Sequence, residues 1–214
     1  MLTIYINDLE LKVEEGSTIL EASEKMGIKI PTICFHDRLS PPGLCRQCVV
    51  EVEGARVLLP SCISKVQEGM KIKTDSERVI RARRTILEML SSSTDLSESP
   101  DLLEQINTYK AEYGRFENSS KRDFEVKDDN PFYMRDYSKC ILCERCVQVC
   151  SEDIQFSYAL TTAGRGYENR ITTFYNKKLP ETSCVFCGNC VAVCPTGALI
   201  ASNEYQLDTE GADK

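Results

Sequence analysis

Apolar and polar residues alternate from the start of the chain. Leu2, Ile4 and Ile6 are followed by Leu9, Leu11 and Val13, with Asn7-Asp8 between the runs. A period of two broken by such a dipeptide predicts a β-hairpin over 2–6 and 9–13. Ser17 and Thr18 are good helix caps. Ile19, Leu20, Ala22 and Met26 then fall at helical spacing, and Gly27 closes the run. A strand is expected at 48–53 through Val50 and Val52, a turn at Glu53-Gly54, and further strands at 56–59 and 70–74. Strand, strand, helix, loop, strand and strand is the order of a small β-grasp unit, whose helix covers one sheet face.

Farther on, Val79, Ile80, Ile86, Leu87 and Leu90 predict a helix over 77–91. It carries Arg78, Arg81, Arg83 and Arg84, which form either a solvated face or a contact with an acidic partner or an anionic metal cluster. Residues 91–100, SSSTDLSESP, read as a linker, 101–111 as a short helix, and 117–131 as a polar stretch ending in the breaker Asp129-Asn130-Pro131. Between 158 and 175, Ala159–Thr162 and Ile171–Phe174 flank Ala163-Gly164-Arg165-Gly166 and predict a hairpin. This Gly-x-Gly lacks the third glycine and the βαβ setting of a nucleotide loop. The expected organisation is a domain at 1–76, a helical and polar connection at 77–135, a second domain at 136–201 and an acidic, mobile tail at 202–214.

Charge narrows the range of functions. The chain has 26 basic and 33 acidic residues, a net −7. The excess lies in 95–139, with seven bases against eleven acids, and in 140–214, with six against nine. Such a balance argues against a general nucleic-acid binder. No run of about 18 apolar residues predicts a membrane span. The opening MLTIYINDLELKVEEGS carries acids where a signal peptide is apolar, so a cytoplasmic location is expected. Cytosolic thiols stay reduced, and twelve of them ask for a metal.

Those twelve fall into three sets of four. Cys34, Cys45, Cys48 and Cys62 are spaced C-x10-C-x2-C-x13-C. Cys140, Cys143, Cys146 and Cys150 are spaced C-x2-C-x2-C-x3-C, and Cys184, Cys187, Cys190 and Cys194 repeat that spacing 44 residues later. A C-x2-C-x2-C loop presents three thiolates to one cubane, and the fourth ligand of two-cluster ferredoxins comes from the other run. The spacing therefore predicts one 4Fe–4S cluster on Cys140, Cys143, Cys146 and Cys194, and another on Cys184, Cys187, Cys190 and Cys150. The second run ends in Cys194-Pro195, as that motif does. The first ends in Cys150-Ser151, a departure that leaves the ligands in place. Structural zinc is the competing reading, but it favours two separated pairs. The first set is looser. It keeps the C-x2-C pair and distant fourth cysteine of plant-type 2Fe–2S sites, but its first gap is ten residues where that type has four. From spacing alone 2Fe–2S and zinc both stand. Ser40-Pro41-Pro42-Gly43-Leu44 is a turn-forming loop able to turn backbone N–H groups toward a cluster. His36 is a single histidine where Rieske sites need two, so a loop or outer role is expected. It is also the only base around which a Ser-His-Asp site could form.

The stretches CFHDRLSPPGLCRQCVVEVEG (34–54), PSC (60–62) and RARRTILEML (81–90) resemble the N-terminal iron–sulfur module of the large iron–sulfur subunit of bacterial complex I. The same module occurs in the diaphorase subunit of NAD-reducing hydrogenases, and it opens many iron-only hydrogenases and NAD-linked formate dehydrogenases. KCILCERCVQVCSED (139–153), TTAGRGYENRI (161–171) and SCVFCGNCVAVCPTGAL (183–199) are similar to its ferredoxin-like half. The resemblance implies an α+β chain with a β-grasp 2Fe–2S domain, a helical and irregular linker and a two-cluster 4Fe–4S domain. It favours 2Fe–2S for the first set. The family's further cluster on H-x3-C-x2-C-x5-C has no counterpart, since 63–139 contains no cysteine or histidine. One 2Fe–2S and two 4Fe–4S clusters are expected, with no flavin or NAD bound by this chain. No hydrogen-cluster or molybdopterin domain is expected after the second run.

The implied role is a non-catalytic electron-transfer subunit, since all twelve cysteines are used and no activated nucleophile remains. Its implied partners are a flavin- and NAD(P)-binding subunit with its small iron–sulfur subunit, and a second redox enzyme or ferredoxin. That second partner would be a hydrogenase, a formate dehydrogenase, an aldehyde or acyl-CoA reductase, or a bifurcating flavoprotein. A free-standing ferredoxin-like carrier is the alternative, and gel filtration near 24 kDa would mark it.

Overall fold

The computed structural model describes residues 1–211, with side-chain surroundings through 207. Its first part is a five-stranded sheet. Strands β1 (Leu2–Ile6) and β2 (Leu9–Val13) form the expected hairpin. Asn7 and Asp8 both take positive φ, 51° and 67°, the turn whose twist matches that of the strands. The Asn7 side chain also holds the end of the sheet. Its amide donates to Thr74 Oγ1 at 2.8 Å, and its carbonyl accepts from the Thr74 N–H at 3.0 Å.

Helix α1 (Ile19–Lys25) starts on a capping box. Thr18 Oγ1 accepts from the Glu21 N–H, and Glu21 accepts from the Thr18 N–H. Strands β3 (Val49–Val52), β4 (Leu59–Pro60) and β5 (Lys71–Lys73) complete the sheet in the order β2-β1-β5-β3-β4, with β5 parallel to β1 and antiparallel to β3. Inward residues Ile4, Ile6, Val13, Val50, Val52 and Ile72 meet Ile19, Leu20 and Ala22 of α1. The strand expected at 56–59 is displaced to Leu59–Pro60. Residues 53–57 are occupied by a turn in which the Ala55 N–H reaches the Val52 carbonyl.

Helix α2 (Glu77–Ser93) begins at the Ser76 cap and runs through the start of the expected linker. Helix α3 (Pro100–Tyr109) follows, with proline in its first turn and Lys110 closing it in the left-handed region. Ile33, Leu87, Leu96, Leu102 and Ile106 form a second core beneath these helices, joined at its edge by Cys45 and Ile141.

The remainder has little regular structure. Strand β6 (Tyr133–Arg135) pairs antiparallel with β9 (Leu199–Ala201). It therefore joins the later half, although the sequence assigned it to the connection. Helices α4 (Arg145–Cys150) and α5 (Asn189–Ala192) are short. Strands β7 (Thr161–Ala163) and β8 (Arg170–Thr172) make the hairpin, narrower than expected. Gly164 is required there, because a Cβ would stand 2.2 Å from the Glu168 carbonyl oxygen. Helix α6 (Ser202–Gly211) replaces most of the mobile tail expected from 202. Residues 212–214 of that tail lie outside the described residues. No helix among the described residues is long and apolar enough to cross a membrane.

Candidate metal centres

The first four cysteines meet at the edge of the sheet core. Cys34 lies in the loop after α1, Cys45 and Cys48 in the loop entering β3, and Cys62 just beyond β4. Arg46, at φ 61°, turns the loop between Cys45 and Cys48. Cys48 Sγ and Cys62 Sγ are 3.4 Å apart. Cys34, Cys48 and Cys62 are buried and Cys45 is half-buried. The thiols act on one another. Sharing a proton with Cys45 pushes Cys34 up, burial adds to this, and the same interaction brings Cys45 down to about 6. The Cys48–Cys62 pair behaves alike, with Cys62 driven up and Cys48 brought down to about 7.

Buried polar groups surround this site. The Ser61 hydroxyl, next to Cys62, is fully buried and finds no nitrogen or oxygen partner among the described residues, and neither does the Gln47 amide. A buried donor beside a thiol suits a sulfur acceptor, so the set fits an iron–sulfur group. Arg83 of α2, 1% exposed, secures the loop from behind. Its Nε donates to the Gln47 carbonyl at 3.1 Å and its Nη2 to the Val49 carbonyl at 2.9 Å, on either side of Cys48. Its Nη1 reaches Asp75 and the Tyr109 hydroxyl, both at 3.0 Å. Of the four arginines read as a solvated face or a contact, Arg81 is exposed and Arg83 is enclosed by protein carbonyls. His36 lies in the adjoining loop, where its Nδ1 accepts from the Arg38 N–H at 3.2 Å.

The other eight cysteines form two cavities. One is lined by Cys140, Cys143, Cys146 and Cys194 with Tyr137 and Ile171. The other is lined by Cys150, Cys184, Cys187 and Cys190 with Val149 and Leu160. Each thus takes three thiols from one run and one from the other. The local backbone repeats as well. The Leu142 N–H points at Cys140 Sγ and the Phe186 N–H at Cys184 Sγ, both at 3.4 Å. Leu142, Glu144, Phe186 and Gly188 all take positive φ, which turns successive N–H groups toward the sulfurs. Among the described residues no three His, Cys, Asp or Glu side chains converge on a single-ion site. The four thiols of each site line one shared cavity.

The surroundings of the two cavities differ. Burial pushes Cys140 up to about 11 and Cys143 to about 12, and Cys146 well above the ordinary thiol value. In the second cavity burial likewise raises Cys190 to about 12, but Cys187 is exposed. Phe156, Tyr158 and Val185 are exposed along this segment and the preceding turn. Arg122 is buried and donates to the Cys140 carbonyl at 3.2 Å. Sequence reasoning did not single out Arg122. Arg83 carried a readable signal, since Val79, Arg83 and Leu87 share one helix face.

Comparison with known proteins places this geometry. Residues 1–77 match a 2Fe-2S iron-sulfur cluster binding domain, and residues 130–200 match the ferredoxin-like domain of NADH-quinone oxidoreductase subunit 3. Along nearly its whole length the chain is similar to the complex I type of iron–sulfur module. Over 96% of its length the module is 40% identical to an NADP-reducing hydrogenase subunit HndD of Solidesulfovibrio fructosivorans, and spans 37% of that protein. It is 36% identical over 92% of its length to the mitochondrial NADH-ubiquinone oxidoreductase 78 kDa subunit of Candida albicans, spanning 28% of it. The module therefore covers well under half the length of these curated relatives. A crystal structure of an H2-reduced NAD+-reducing [NiFe]-hydrogenase superposes on 94% of the module and 87% of its own chain, with a TM-score of 0.84 and 27% identity. The module carries a 2Fe–2S domain and a ferredoxin-like domain of the 4Fe–4S class.

Proposed function

We propose that this chain is the electron-transfer subunit, or the corresponding segment, of a cytoplasmic NAD(P)H-linked oxidoreductase. It relays electrons between a flavin- and NAD(P)-binding subunit, with that subunit's small iron–sulfur partner, and a second redox enzyme. Residues 1–76 form a β-grasp domain holding one 2Fe–2S cluster on Cys34, Cys45, Cys48 and Cys62. Residues 77–135 connect it to a 4Fe–4S domain at 136–201. Cys140, Cys143, Cys146 and Cys194 hold one 4Fe–4S cluster, and Cys184, Cys187, Cys190 and Cys150 the other. When bound, such clusters supply one-electron storage and transfer. The chain's own residues fix sulfur positions, aim N–H groups at them and, around the buried Cys140, Cys143 and Cys146, exclude water. Four cysteines per site leave no open coordination position, so the chain itself is non-catalytic, and it binds neither flavin nor NAD.

The observation that carries this reading is the exchange of the fourth cysteine between the two cavities. Anaerobic purification tests it. About ten iron atoms per chain with matching acid-labile sulfide are expected, together with co-purifying flavoprotein. A Cys143→Ser variant is expected to lose the cluster that also uses Cys194 and to keep the 2Fe–2S signal in EPR. Bound zinc, or colourless protein without sulfide, would overturn the reading.

A further inference from the structure

The guanidinium of Arg145 touches loops that belong to different thiol sites. Its Nη2 donates to the carbonyl of Phe35 at 2.6 Å, the residue after Cys34. Its Nη1 reaches the carbonyl of Val193 at 3.5 Å, the residue before Cys194. Arg145 itself opens α4 between Cys143 and Cys146. One cation thus stands where three thiol-bearing segments converge.

The contact is reinforced on both sides. The Ser40 N–H and hydroxyl donate to the two Asp153 carboxylate oxygens at 2.7 and 2.8 Å. Leu39 is buried against Val149 and Val193. The loop at 35–40 is therefore seated on α4 and on the turn after α5 by a cation, a carboxylate and a leucine.

We propose that Arg145 is a positioning residue that locks the Cys34 loop of the first site onto the Cys140–Cys194 site and sets the potentials of both centres. This deepens the electron-transfer reading and rests on it. A planar guanidinium fork holds two carbonyls in a fixed relation, which an ammonium on a flexible stem does not. A cation between two anionic centres favours their more negative, reduced forms, so it raises both potentials.

The test uses the cluster-bearing protein with Arg145→Met and Arg145→Lys. Iron and sulfide analysis, EPR-monitored redox titration and spin–spin broadening between the reduced centres are measured. Arg145→Met is expected to keep its iron, shift the 2Fe–2S and the Cys140–Cys194 centres to more negative potentials, and lose the broadening. The centre in the second cavity stays at its parental potential. Arg145→Lys keeps the charge and the potentials, but its broadening weakens. Full iron with parental potentials and broadening in Arg145→Met overturns the proposal. If Arg145→Met sheds a cluster, Arg145→Lys decides, and parental broadening there overturns it. A parent protein without acid-labile sulfide would overturn the cluster reading itself, whereas a cluster-bearing parent with insensitive variants overturns only the role of Arg145.

Discussion

The two halves of the molecule build thiol sites on opposite principles. The first site is fastened to the edge of an aliphatic core of Ile4, Ile6, Ile19, Val50 and Ile72, and only Cys48 and Cys62 belong to that core. In the second half the cysteines are themselves much of the interior. Cys140 and Cys146 are buried with Tyr137, Leu160 and Ile171, and Cys150, Cys184, Cys190 and Cys194 line the same cluster. One half has a scaffold that precedes its metal. The other uses the metal site as its scaffold, and metal binding there is folding free energy.

Cluster removal should separate the halves most strongly. Chelation under oxidising conditions is expected to abolish amide-exchange protection around α4, α5 and the β6–β9 pair while strands β1, β2 and β5 stay protected. Uniform loss across both halves would break the comparison. Leu87→Ala probes the seam between them. Leu87 is fully buried with Ile33, Leu102 and Ile106, and truncation should cost about 2–5 kcal/mol. Denaturant unfolding followed by sheet circular dichroism and by cluster absorbance would show whether both halves weaken together.

Arg83→Met comes next. It strands the buried Gln47 and Val49 carbonyls, at about 2–4 kcal/mol. The ion pair with the largely exposed Asp75 adds little. The expected signature is a lower unfolding midpoint of the first half and an altered 2Fe–2S signal, with 4Fe–4S signals unchanged.

The smallest effect belongs to the cap of α1. Thr18→Ala should cost about 1 kcal/mol at neutral pH. The backbone hydrogen bond from Thr18 holds the Glu21 carboxyl below its ordinary 4.5, against an opposing effect of burial. A depressed carboxylate stabilises the fold above its unfolded value, and that stabilisation is lost as pH falls through the folded value. Alanine keeps that backbone N–H, so thermal melts of the parent and of Thr18→Ala should both fall between neutral pH and about pH 3, with most of the gap between them retained.

Much of this was legible in the residues. The β1–β2 hairpin has strict alternation and an Asn-Asp turn, α1 has cap residues at Ser17 and Thr18 and a closing Gly27, and α2 has apolar residues at helical spacing. The pairing of β6 with β9 was not legible, because three-residue strands have no period to read and their partners lie 66 residues apart in the register Met134–Ile200. The sequence leaves Arg83 between a solvated face and a contact, because charged residues are seldom fully buried unless paired, and its carbonyl acceptors, Gln47 and Val49, lie 34 to 36 residues away in the cysteine loop and the start of β3. The left-handed Leu142, Glu144 and Phe186 carry no glycine to announce them. Their conformation follows from the loops that bring the cysteines around each cavity.

The swapped fourth cysteine has a consequence for biosynthesis. Domains generally fold as units during synthesis, the earlier part first, and the sheet of residues 1–77 can follow that order. The cavity begun at Cys140 cannot, because its last wall, Cys194, leaves the ribosome only after the entire intervening hairpin. Both thiol-lined cavities are therefore completed almost simultaneously, once the second run has emerged.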